Sequence, residues 1–360
     1  MNLKMSSEVV KVNKNSYDLS KWIIGKGPES DIVISSRIRI ARNIEKIPFP
    51  HQSESKDLEK VINEVNNILA ANNKFGLNYI DINNLSKIDK NALVEKHLIS
   101  PPHANSNHKR GILLNKNEDI SIMINEEDHL RIQILKPGLQ LDKCWQIADE
   151  IDNFFEEELD FAFSKKWGYL SACPTNMGTG LRSSVMVHLP ALNITNNIEK
   201  MLGAVSQFGL AVRGLYGEGS KSAGNIYQIS NQITLGQTEK DIISNLTSVT
   251  MQILEQEKQA RKRLLNENKD FLLDKIKRAN GILKYAHIIS NEEALKLLSY
   301  LKLGIDLEII NDIKSSLLSK LMVLIRPAHL QKNFEKEISS DHRDVQRAKL
   351  IKKYINNREE

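Results

Sequence analysis

The stretch YLSACPTNMGTGLRSSVMVHLPAL, residues 169–192, places a thiol, a proline, two glycines and an arginine between two apolar ends. Pro174 ends whatever strand residues 169–172 form, because proline lacks the N–H that strand pairing needs. Gly178 and Gly180 then allow the backbone to approach a ligand closely or to adopt a positive φ. The pattern predicts a short strand followed by a glycine-rich loop.

The residues after this loop predict a second strand. Val185, Val187 and Leu189 alternate along the sequence, as they do in a strand with one buried face. Arg182 lies where the loop meets this strand, and a loop of N–H groups beside an arginine suits a phosphate. An ordinary glycine-rich turn explains the stretch equally well when it is taken alone.

Length and composition limit the class of protein. A chain of 360 residues can bury a large core, and we expect two domains. A hydrophobic fraction of 41% and a charged fraction of 26% are typical of a globular protein, and a net charge of +5 does not indicate nucleic acid. Two cysteines cannot form a disulfide framework, and no apolar run reaches the roughly 20 residues of a membrane span. We expect a cytoplasmic protein that contacts no membrane.

The segment DIVISSRIRIAR, residues 31–42, predicts a strand with a charged face. Alternation places Val33, Ser35, Arg37 and Arg39 on one face, and the apolar residues of the segment mostly on the other. Two solvated charges are the simplest interpretation of this face. Arginines two apart also suit a polyanion, because each offers a planar fork that stays charged.

The segment ISIMINEEDHLRIQIL, residues 120–135, predicts a β-hairpin. Its turn carries three adjacent carboxylates at 126–128, and Arg131 follows on the outgoing strand. Turns are often acidic because they are wet, but three packed carboxylates are unfavourable unless a cation compensates them.

Periodicity outlines the rest of the chain. Helices are predicted at 57–71, at 141–163 with Cys144 in the core, at 195–208 with Thr195 as N-cap, and from Thr238 to about 266; a strand is predicted at 226–236. Beyond about 268 only helical periods remain, so we place a domain boundary near 265. The predicted organisation is a lead-in at 1–30, an α+β domain at 31–265 and a helical domain at 266–360.

The candidate chemistry is phosphoryl transfer without a P-loop, since the sequence contains no GxxxxGK[ST]. Five arginines occupy strand ends or loops: Arg37, Arg39, Arg131, Arg182 and Arg213. Glu127 and Glu218 are the candidate acids opposite them. Clustered arginines repel one another unless a polyanion such as a nucleoside triphosphate lies among them. Phosphoryl transfer needs mainly such charge neutralisation, positioning and a base.

Together these segments resemble the phosphagen (guanidino) kinase family, and more closely its bacterial protein-arginine kinases. The matching segments are SSRIR (35–39), NEEDHLR (125–131), CPTNMGTGLRSSV (173–185), RGLYGEGS (213–220) and QISNQITLG (228–236). The resemblance covers residues 30–355 and implies an antiparallel sheet flanked by helices. It also implies ATP as phosphoryl donor and Mg²⁺ bound through ATP, with no metal ligand from protein side chains.

The resemblance assigns roles to individual residues. It implies nucleotide contacts from Ser35, Ser36, Arg37, Ile38, Arg39, His97, Arg131, Arg182, Ser183, Ser184, Val185, Met186, Arg213, Gly214, Leu215, Tyr216 and Gly217. Glu127 matches the family's catalytic carboxylate, Glu218 its second guanidinium-binding carboxylate and Cys173 its active-site thiol. His97 taken alone is more typical of a packed core histidine. A guanidinium with a pKa above about 12 is no nucleophile while protonated, so one carboxylate must take its proton.

Two departures from the small-molecule members favour a protein substrate. About thirty residues precede the SSRIR strand, where those enzymes carry a helical domain of about a hundred. Tyr216 stands where they typically have an arginine.

In the helical domain, HRDVQRAKL matches a phosphoarginine-binding signature through Arg343, Asp344, Arg347 and Ala348. Arg343 and Arg347, one helical turn apart, could grip a phosphate together, although a solvated basic stripe is the simpler alternative.

The resemblance also implies partners. They are a stress-gene repressor and unfolded proteins as substrates, a zinc-binding activator protein, a Clp unfoldase–protease that degrades the marked proteins, and a second copy of the chain in a homodimer. Two other functions remain open at this point: a kinase for a small guanidino compound, and a non-catalytic phosphoarginine-binding adaptor.

Overall fold

The computed structural model describes residues 19–214 and 223–356. Its strands are β1 (Val33–Arg42), β2 (Asn78–Asp81), β3 (Gly111–Leu114), β4 (Ile120–Ile124), β5 (Leu130–Pro137), β6 (Phe163–Ser164), β7 (Gly168–Tyr169), β8 (Leu181–His188), β9 (Leu210–Gly214) and β10 (Ile226–Asn231). Its helices are α1 (Lys21–Ile24), α2 (Ser55–Ala71), α3 (Lys87–Glu95), α4 (Pro101–Asn105), α5 (Leu141–Glu156), α6 (Pro190–Ile194), α7 (Ile198–Ser206), α8 (Glu239–Glu267), α9 (Lys269–Tyr285), α10 (Asn291–Asp306), α11 (Ser315–Leu324), α12 (Pro327–Gln331) and α13 (Ser340–Asn356).

Eight strands form one antiparallel sheet in the order β2-β3-β4-β5-β1-β8-β10-β9. Helix α5 packs on β1 and β5, and α8 packs on β8 and β10. Isoleucines and valines of β1, β5 and β8 fill the core on this face, as strand alternation predicts. From α9 onward the described chain is helical. The predicted fold, an antiparallel sheet flanked by helices with a helical C-terminal region, is confirmed; the domain boundary near 265 stays a prediction.

The central strand β1 carries a bulge that alternation alone did not predict. Its register against β8 shifts between Val33 and Ser35. Val33 is therefore fully buried in the core, on the same face as Ile38 and Ile40, rather than beside Arg37. The predicted pairing of Arg37 with Arg39 on the opposite face is unaffected, because both lie beyond the bulge.

Two helix predictions were wrong at their ends. The helix predicted at 141–163 ends at Glu156, because the following residues bond to the segment after β1: Glu45 donates to the Asp160 carbonyl and Ala162 to the Asn43 carbonyl. Thr195 caps no helix start. Its hydroxyl donates back to the carbonyls of Ala191 and Leu192, since Pro190 begins the short helix α6 there.

Other predicted elements hold with shifted bounds. Thr238 caps α8 and forms a capping box with Asp241, as predicted. Cys144 is buried in the core. Of the strand predicted at 169–172 only Tyr169 is extended, in β7, and the strand predicted at 226–236 ends at Asn231.

Arg42, at the end of β1, connects the glycine-rich stretch to helix α5. It is 2% exposed, its Nη2 lies 2.5 Å from Asp152 Oδ2, and its guanidinium stacks on the Tyr169 ring at 3.4 Å. Its Nη1 also donates to the carbonyl of Thr179. A buried cation thus joins α5, β1 and the loop before β8.

We expect Asp152→Asn to lower the free energy of unfolding by about 3–5 kcal/mol, because Arg42 keeps its charge without a counter-charge in a buried site. Equilibrium denaturation in urea measures the change. Glu150→Gln, at an exposed position of the same helix, is the control and should stay within about 0.5 kcal/mol of the native chain. Equal stability of the Asp152 variant and the control would contradict this role.

Candidate active site

The sheet face opposite α5 carries the predicted arginines. Arg39 in β1 lies directly across from Arg182 in β8, and Arg131 in β5 lies across from Ala41. Residues paired in this way have Cβ atoms about 5 Å apart. Arg37 lies two residues from Arg39 on the same face, and Arg213 in β9 lies across from Gln228 in the neighbouring strand. We call these five residues the arginine face.

Burial and mutual repulsion strain the arginine face. Burial, together with the charges of Arg131 and Arg182, lowers the pKa of Arg37 to about 10. Burial, then the charges of Arg37, Arg131 and Arg182, lower the pKa of Arg39 well below its ordinary value. Arg39 Nε is buried and has no acceptor in the part of the chain that the structure describes. An anion among these side chains would both neutralise the charge and supply the acceptor.

Arg37 is held in place by two side chains of the neighbouring strands. Its Nη2 donates to Gln228 Oε1 at 2.9 Å, and its Nε donates to Ser184 Oγ at 3.2 Å. Gln228 lies in one of the segments that carry the family resemblance, but sequence reasoning gave it no role. The feature that could have identified Gln228 is its position on a predicted strand beside the arginines.

The turn between β4 and β5 separates its three carboxylates by environment. Glu126 is 4% exposed at its side chain and forms an ion pair with Arg131 and a hydrogen bond from Ser100. Asp128 is buried and accepts from Asn43 and from the Ala172 N–H. Glu127 remains 41% exposed, with Oε2 3.9 Å from Arg131 Nη1. The predicted compensating cation is therefore Arg131, and it compensates Glu126 first.

Glu126 makes the stability of this turn depend on pH. Burial acts to raise its pKa, but the charge of Arg131 and hydrogen bonds from Ser100, Arg131 and the Glu127 N–H together lower the pKa to about 2. Because the folded pKa lies below the unfolded value of about 4.3, the ionised form stabilises the fold above that value. This stability is lost as the pH falls toward 2.

We expect the free energy of unfolding to fall by about 3 kcal/mol through this group between pH 5 and pH 2. Glu126→Gln removes the titration, so the difference in stability between wild type and variant should shrink over that range. Denaturation at several pH values measures it. A difference that stays constant from pH 5 to pH 2 would show that Glu126 has an unshifted pKa.

Asp128 also ties the acidic turn to the glycine-rich stretch. Its Oδ1 receives the Ala172 N–H at 2.7 Å, one residue before Cys173. Cys173 is partly exposed, and its Sγ lies 3.1 Å from Thr175 Oγ1. The loop that follows is closely packed, since a Cβ on Gly178, with φ of 104°, would lie 2.6 Å from the Thr234 carbonyl oxygen. Glu127 and Cys173 are thus brought to the same end of the arginine face.

The other predicted nucleotide contacts fall into two groups. Ser35, Ser184 and Met186 lie on the arginine face, where Ser35 and Met186 are cross-strand partners. The side chains of Ile38, Val185 and Ser183 are fully buried on the other side, and Ser36 Oγ donates to the Gly138 carbonyl. These four residues can offer a nucleotide their backbone only.

His97 lies in the turn after α3, with φ of 57°. Its ring meets the Trp22 ring edge-on, with centroids 5.9 Å apart. Burial, then the charges of Arg326 and Arg37, lower its pKa well below the ordinary value, so the ring is neutral at pH 7. It is both packed and beside the arginine face. Gly214 ends β9, whereas Leu215, Tyr216, Gly217 and Glu218 lie outside the described residues.

The predicted phosphoarginine-binding residues lie on α13 in unequal environments. Arg347 is 2% exposed, its Nε and Nη1 donate to the carbonyls of Ile325 and Ile289, and it pairs with Asp344. Ala348 is buried. Arg343 is partly exposed, donates from Nη1 to the Ile338 carbonyl and lines an open cleft between α3 and α12. Arg343 thus reaches the cleft, whereas most of Arg347 is engaged in internal contacts.

The described residues lack two kinds of feature. No helix there is both long and apolar enough to cross a membrane. No group of three or more histidine, cysteine, aspartate or glutamate side chains there is arranged to hold a metal ion.

The fold and the arginine face define an enzyme class, the phosphotransferases that act on guanidino groups. The family model described as "ATP:guanido phosphotransferase, C-terminal catalytic domain" matches residues 58–260, and the "Protein-arginine kinase McsB C-terminal domain" matches residues 269–360. The chain belongs to the protein-arginine kinases of this phosphagen kinase family, which use ATP.

Individual relatives agree with this placement. A protein-arginine kinase from Halothermothrix orenii is 59% identical over 96% of this chain and 98% of its own length. One from Bacillus subtilis is 46% identical, covering 94% of this chain and 93% of its own. Among solved structures, a lombricine kinase has a TM-score of 0.57 at 24% identity, covering 68% of this chain and 70% of that one. A duplicated taurocyamine kinase from Schistosoma mansoni scores 0.59 at 23% identity, over 78% and 47%. These two likenesses concern the fold alone.

Proposed function

We propose that this chain transfers the γ-phosphoryl group of ATP to arginine side chains of proteins. The observation that carries the proposal is the arginine face, a partly buried cluster of like charges with Glu127 and Cys173 at one end. The arginines would hold the phosphates, and Glu127 would orient the substrate guanidinium and accept its proton as nitrogen attacks the γ-phosphorus. Glu218 would bind the other side of the guanidinium, and Cys173, as a thiolate, would add negative charge beside it.

Mg²⁺ fits this arrangement as a companion of ATP. The arginine face is basic, so a divalent cation would be held by the oxygens of a bound nucleotide while Arg39 and Arg182 hold the nucleotide. When bound there, Mg²⁺ neutralises part of the phosphate charge. We propose that none of its ligands is a protein side chain.

Incubation with ATP separates the proposal from a small-molecule guanidino kinase. An unfolded protein and free arginine are offered in parallel, and phosphorylated products are identified by mass spectrometry at neutral pH, which preserves the N–P bond. We expect acid-labile phosphate on arginines of the protein and none on free arginine. Phosphorylation of free arginine alone would replace this function by that of a small-molecule kinase.

We propose that the helical region binds phosphoarginine through Arg343, with Arg347, Asp344 and Ala348 shaping the site. Arg343 supports this role because it lines the cleft beside α12. Arg343→Ala should abolish binding of a phosphoarginine peptide at unchanged thermal stability, whereas Arg347→Ala should also destabilise α13. The control is Lys349→Ala, at an exposed position of the same helix. Unchanged peptide binding by both arginine variants would refute the assignment.

The cellular setting is also a proposal. The family resemblance supports a cytoplasmic enzyme of the stress response. Its proposed partners are a stress-gene repressor and unfolded proteins as substrates, a zinc-binding activator protein, a Clp unfoldase–protease and a second copy of the chain. Light scattering of the purified chain tests the homodimer.

A further inference from the structure

Exposed apolar side chains gather around residues 173–180, the loop that precedes β8. In the part of the chain that the structure describes, ten large apolar residues are exposed, and five of them flank this loop. These five are between 41% and 59% exposed. Single exposed apolar side chains are normal, whereas a group of them marks an interaction site. We call this group the apolar rim: Phe163, Trp167, Phe208, Ile233 and Leu235.

The hairpin of β6 and β7 forms one side of the apolar rim. The Tyr169 N–H donates to the Gly178 carbonyl at 2.8 Å, and a Cβ on Gly168 would lie 2.5 Å from the same oxygen. Phe163 lies across from Tyr169 in this hairpin, and Trp167 lies in its turn. The backbone of the hairpin is therefore packed against the loop, while its two apolar side chains remain at the surface.

The segment after β10 forms the other side of the apolar rim. Thr234 Oγ1 donates to the Met177 carbonyl at 2.6 Å, so this segment also packs on the loop. Ile233 and Leu235, which flank Thr234, are exposed. Phe208 extends this side just beyond α7, since a Cβ on the glycine that follows it would lie 3.8 Å from Ile233 Cδ1. The loop thus lies between two groups of exposed apolar side chains.

The target arginine brings the backbone of a protein substrate to this surface. Glu127 and Cys173 lie at one end of the arginine face, and the target guanidinium meets them there. An extended arginine side chain places its guanidinium at most about 7 Å from its own Cα. The backbone beside the target arginine therefore lies close to the loop. Neighbouring residues of an extended substrate, at about 3.3 Å each, reach the apolar rim within a few positions.

The chemistry of the apolar rim favours an unfolded substrate. A folded protein buries its large apolar side chains in a core, whereas an unfolded chain exposes them. An apolar side chain that moves from water onto the rim is stabilised in proportion to the apolar area that is buried. Because this effect is not directional, the rim accepts many different sequences as long as they expose apolar side chains near an arginine.

We propose that the apolar rim binds the apolar side chains that flank the target arginine in an extended, unfolded segment of the protein substrate. The rim residues determine which arginines are phosphorylated and take no part in the transfer itself. The inference rests on the proposed function, because it requires the target guanidinium beside Glu127 and Cys173. A second copy of this chain is the other occupant that such a surface could take, and the test separates the two.

The test compares two unstructured peptides of equal length and charge, each with a single arginine. Leucines flank the arginine in one peptide and serines in the other. The wild-type full chain should phosphorylate the leucine peptide at least about tenfold more efficiently, measured as kcat/KM. Ile233→Ser and Trp167→Ser, one on each side of the loop, should each reduce this preference several-fold. The loss should appear as a higher KM for the leucine peptide, because the rim contributes binding only.

The matched control is Ile288→Ser, which replaces an exposed isoleucine before α10 and should keep the wild-type preference. Three results would overturn the inference: equal efficiency of the wild type on both peptides, wild-type preference in both rim variants, or an equal loss of preference in the control. Light scattering tests the second copy. A lower mass of the rim variants at unchanged preference would assign the rim to a contact between copies.

The rim variants should match the wild type in thermal stability, because both substituted side chains are exposed. If one of them does not fold, the other decides, since a reduced preference supports the inference and an unchanged preference refutes it. A wild type that phosphorylates neither the peptides nor an unfolded protein would instead refute the proposed function.

Discussion

Glu127→Gln should reduce phosphoryl transfer to a protein substrate by between a hundredfold and ten-thousandfold, roughly the range of a general base. The attacking guanidinium has a pKa above about 12 and must lose a proton to become a nucleophile. Glu127 is the carboxylate of its turn that remains accessible, whereas Glu126 and Asp128 are buried and engaged. Glutamine keeps the shape and the hydrogen-bonding oxygen of Glu127 but cannot accept the proton.

Whether kcat or the KM for ATP changes in Glu127→Gln identifies the role of Glu127. We expect kcat to fall while the KM for ATP and the affinity for ATP stay unchanged, because the interaction is made in the transition state. Steady-state kinetics with a radiolabelled γ-phosphate, together with an ATP titration, measure both. Glu158→Gln, at an exposed position beyond α5, is the control and should retain full activity.

The same variant separates an enzyme from a non-catalytic adaptor. An adaptor with Glu127→Gln would behave like the wild type in every assay. If turnover persists in Glu127→Gln but is lost in Glu218→Gln, the base is Glu218 and Glu127 only positions the substrate, since two carboxylates on one guanidinium share its proton.

The composition of the arginine face was predictable from the sequence because strand alternation operates over a few residues. SSRIR places Arg37 and Arg39 on one side of any strand it forms, and the hairpin at 120–135 places Arg131 likewise. That β1, β5 and β8 are neighbours in the sheet is a long-range property. No local pattern reports it, so the segments were brought together only by their resemblance to a family.

The errors arose where tertiary hydrogen bonds override local preference. Thr195 is a typical N-cap residue, yet its hydroxyl bonds back into α6. Val33 matches the alternation of β1, yet a bulge turns it into the core. Arg343 and Arg347 satisfy helical spacing equally, but the carbonyls of Ile325, just after α11, and of Ile289, before α10, accept hydrogen bonds from Arg347.

The packing of α11 against α1 could not be predicted from the sequence. Helix α11 lies far beyond α1 in the chain, and its periodicity indicates only burial. Glu126 was counted as one of three equivalent carboxylates, because a turn sequence does not show which member faces Arg131. Both assignments require the packing of elements that are distant in the chain.

Arg39→Met should weaken ATP binding by at least about tenfold and lower turnover further, while leaving the unliganded fold at least as stable as the wild type. The environment of Arg39 explains why the substitution should weaken ATP binding without destabilising the unliganded fold. Burial and three neighbouring charges lower its pKa, which means that folding disfavours its charged form at neutral pH. Methionine keeps the volume of the stem and removes the charge, so the unliganded state loses repulsion and no hydrogen bond of Arg39 Nε.

Arg39→Met should weaken the complex with ATP, although it does not weaken the unliganded fold. A charge-assisted hydrogen bond is worth about 1.5–3 kcal/mol, so the affinity for ATP should fall by at least about tenfold. The effect on turnover should be larger, about a thousandfold, because charge on the transferring group is greatest in the transition state. Arg39→Lys keeps a charge without the fork and should lie between the wild type and Arg39→Met.

Thermal unfolding with and without ATP measures both the stability of the unliganded variant and its stabilisation by ATP. The midpoint of unliganded Arg39→Met should equal or exceed that of the wild type, and ATP should raise it little or not at all. Arg278→Met replaces an exposed arginine paired with Asp274 and should leave both midpoints unchanged, since such surface pairs contribute little. An Arg39→Met variant that is less stable without ATP, yet still stabilised by it, would place Arg39 among the structural residues and leave the phosphates to the other members of the arginine face.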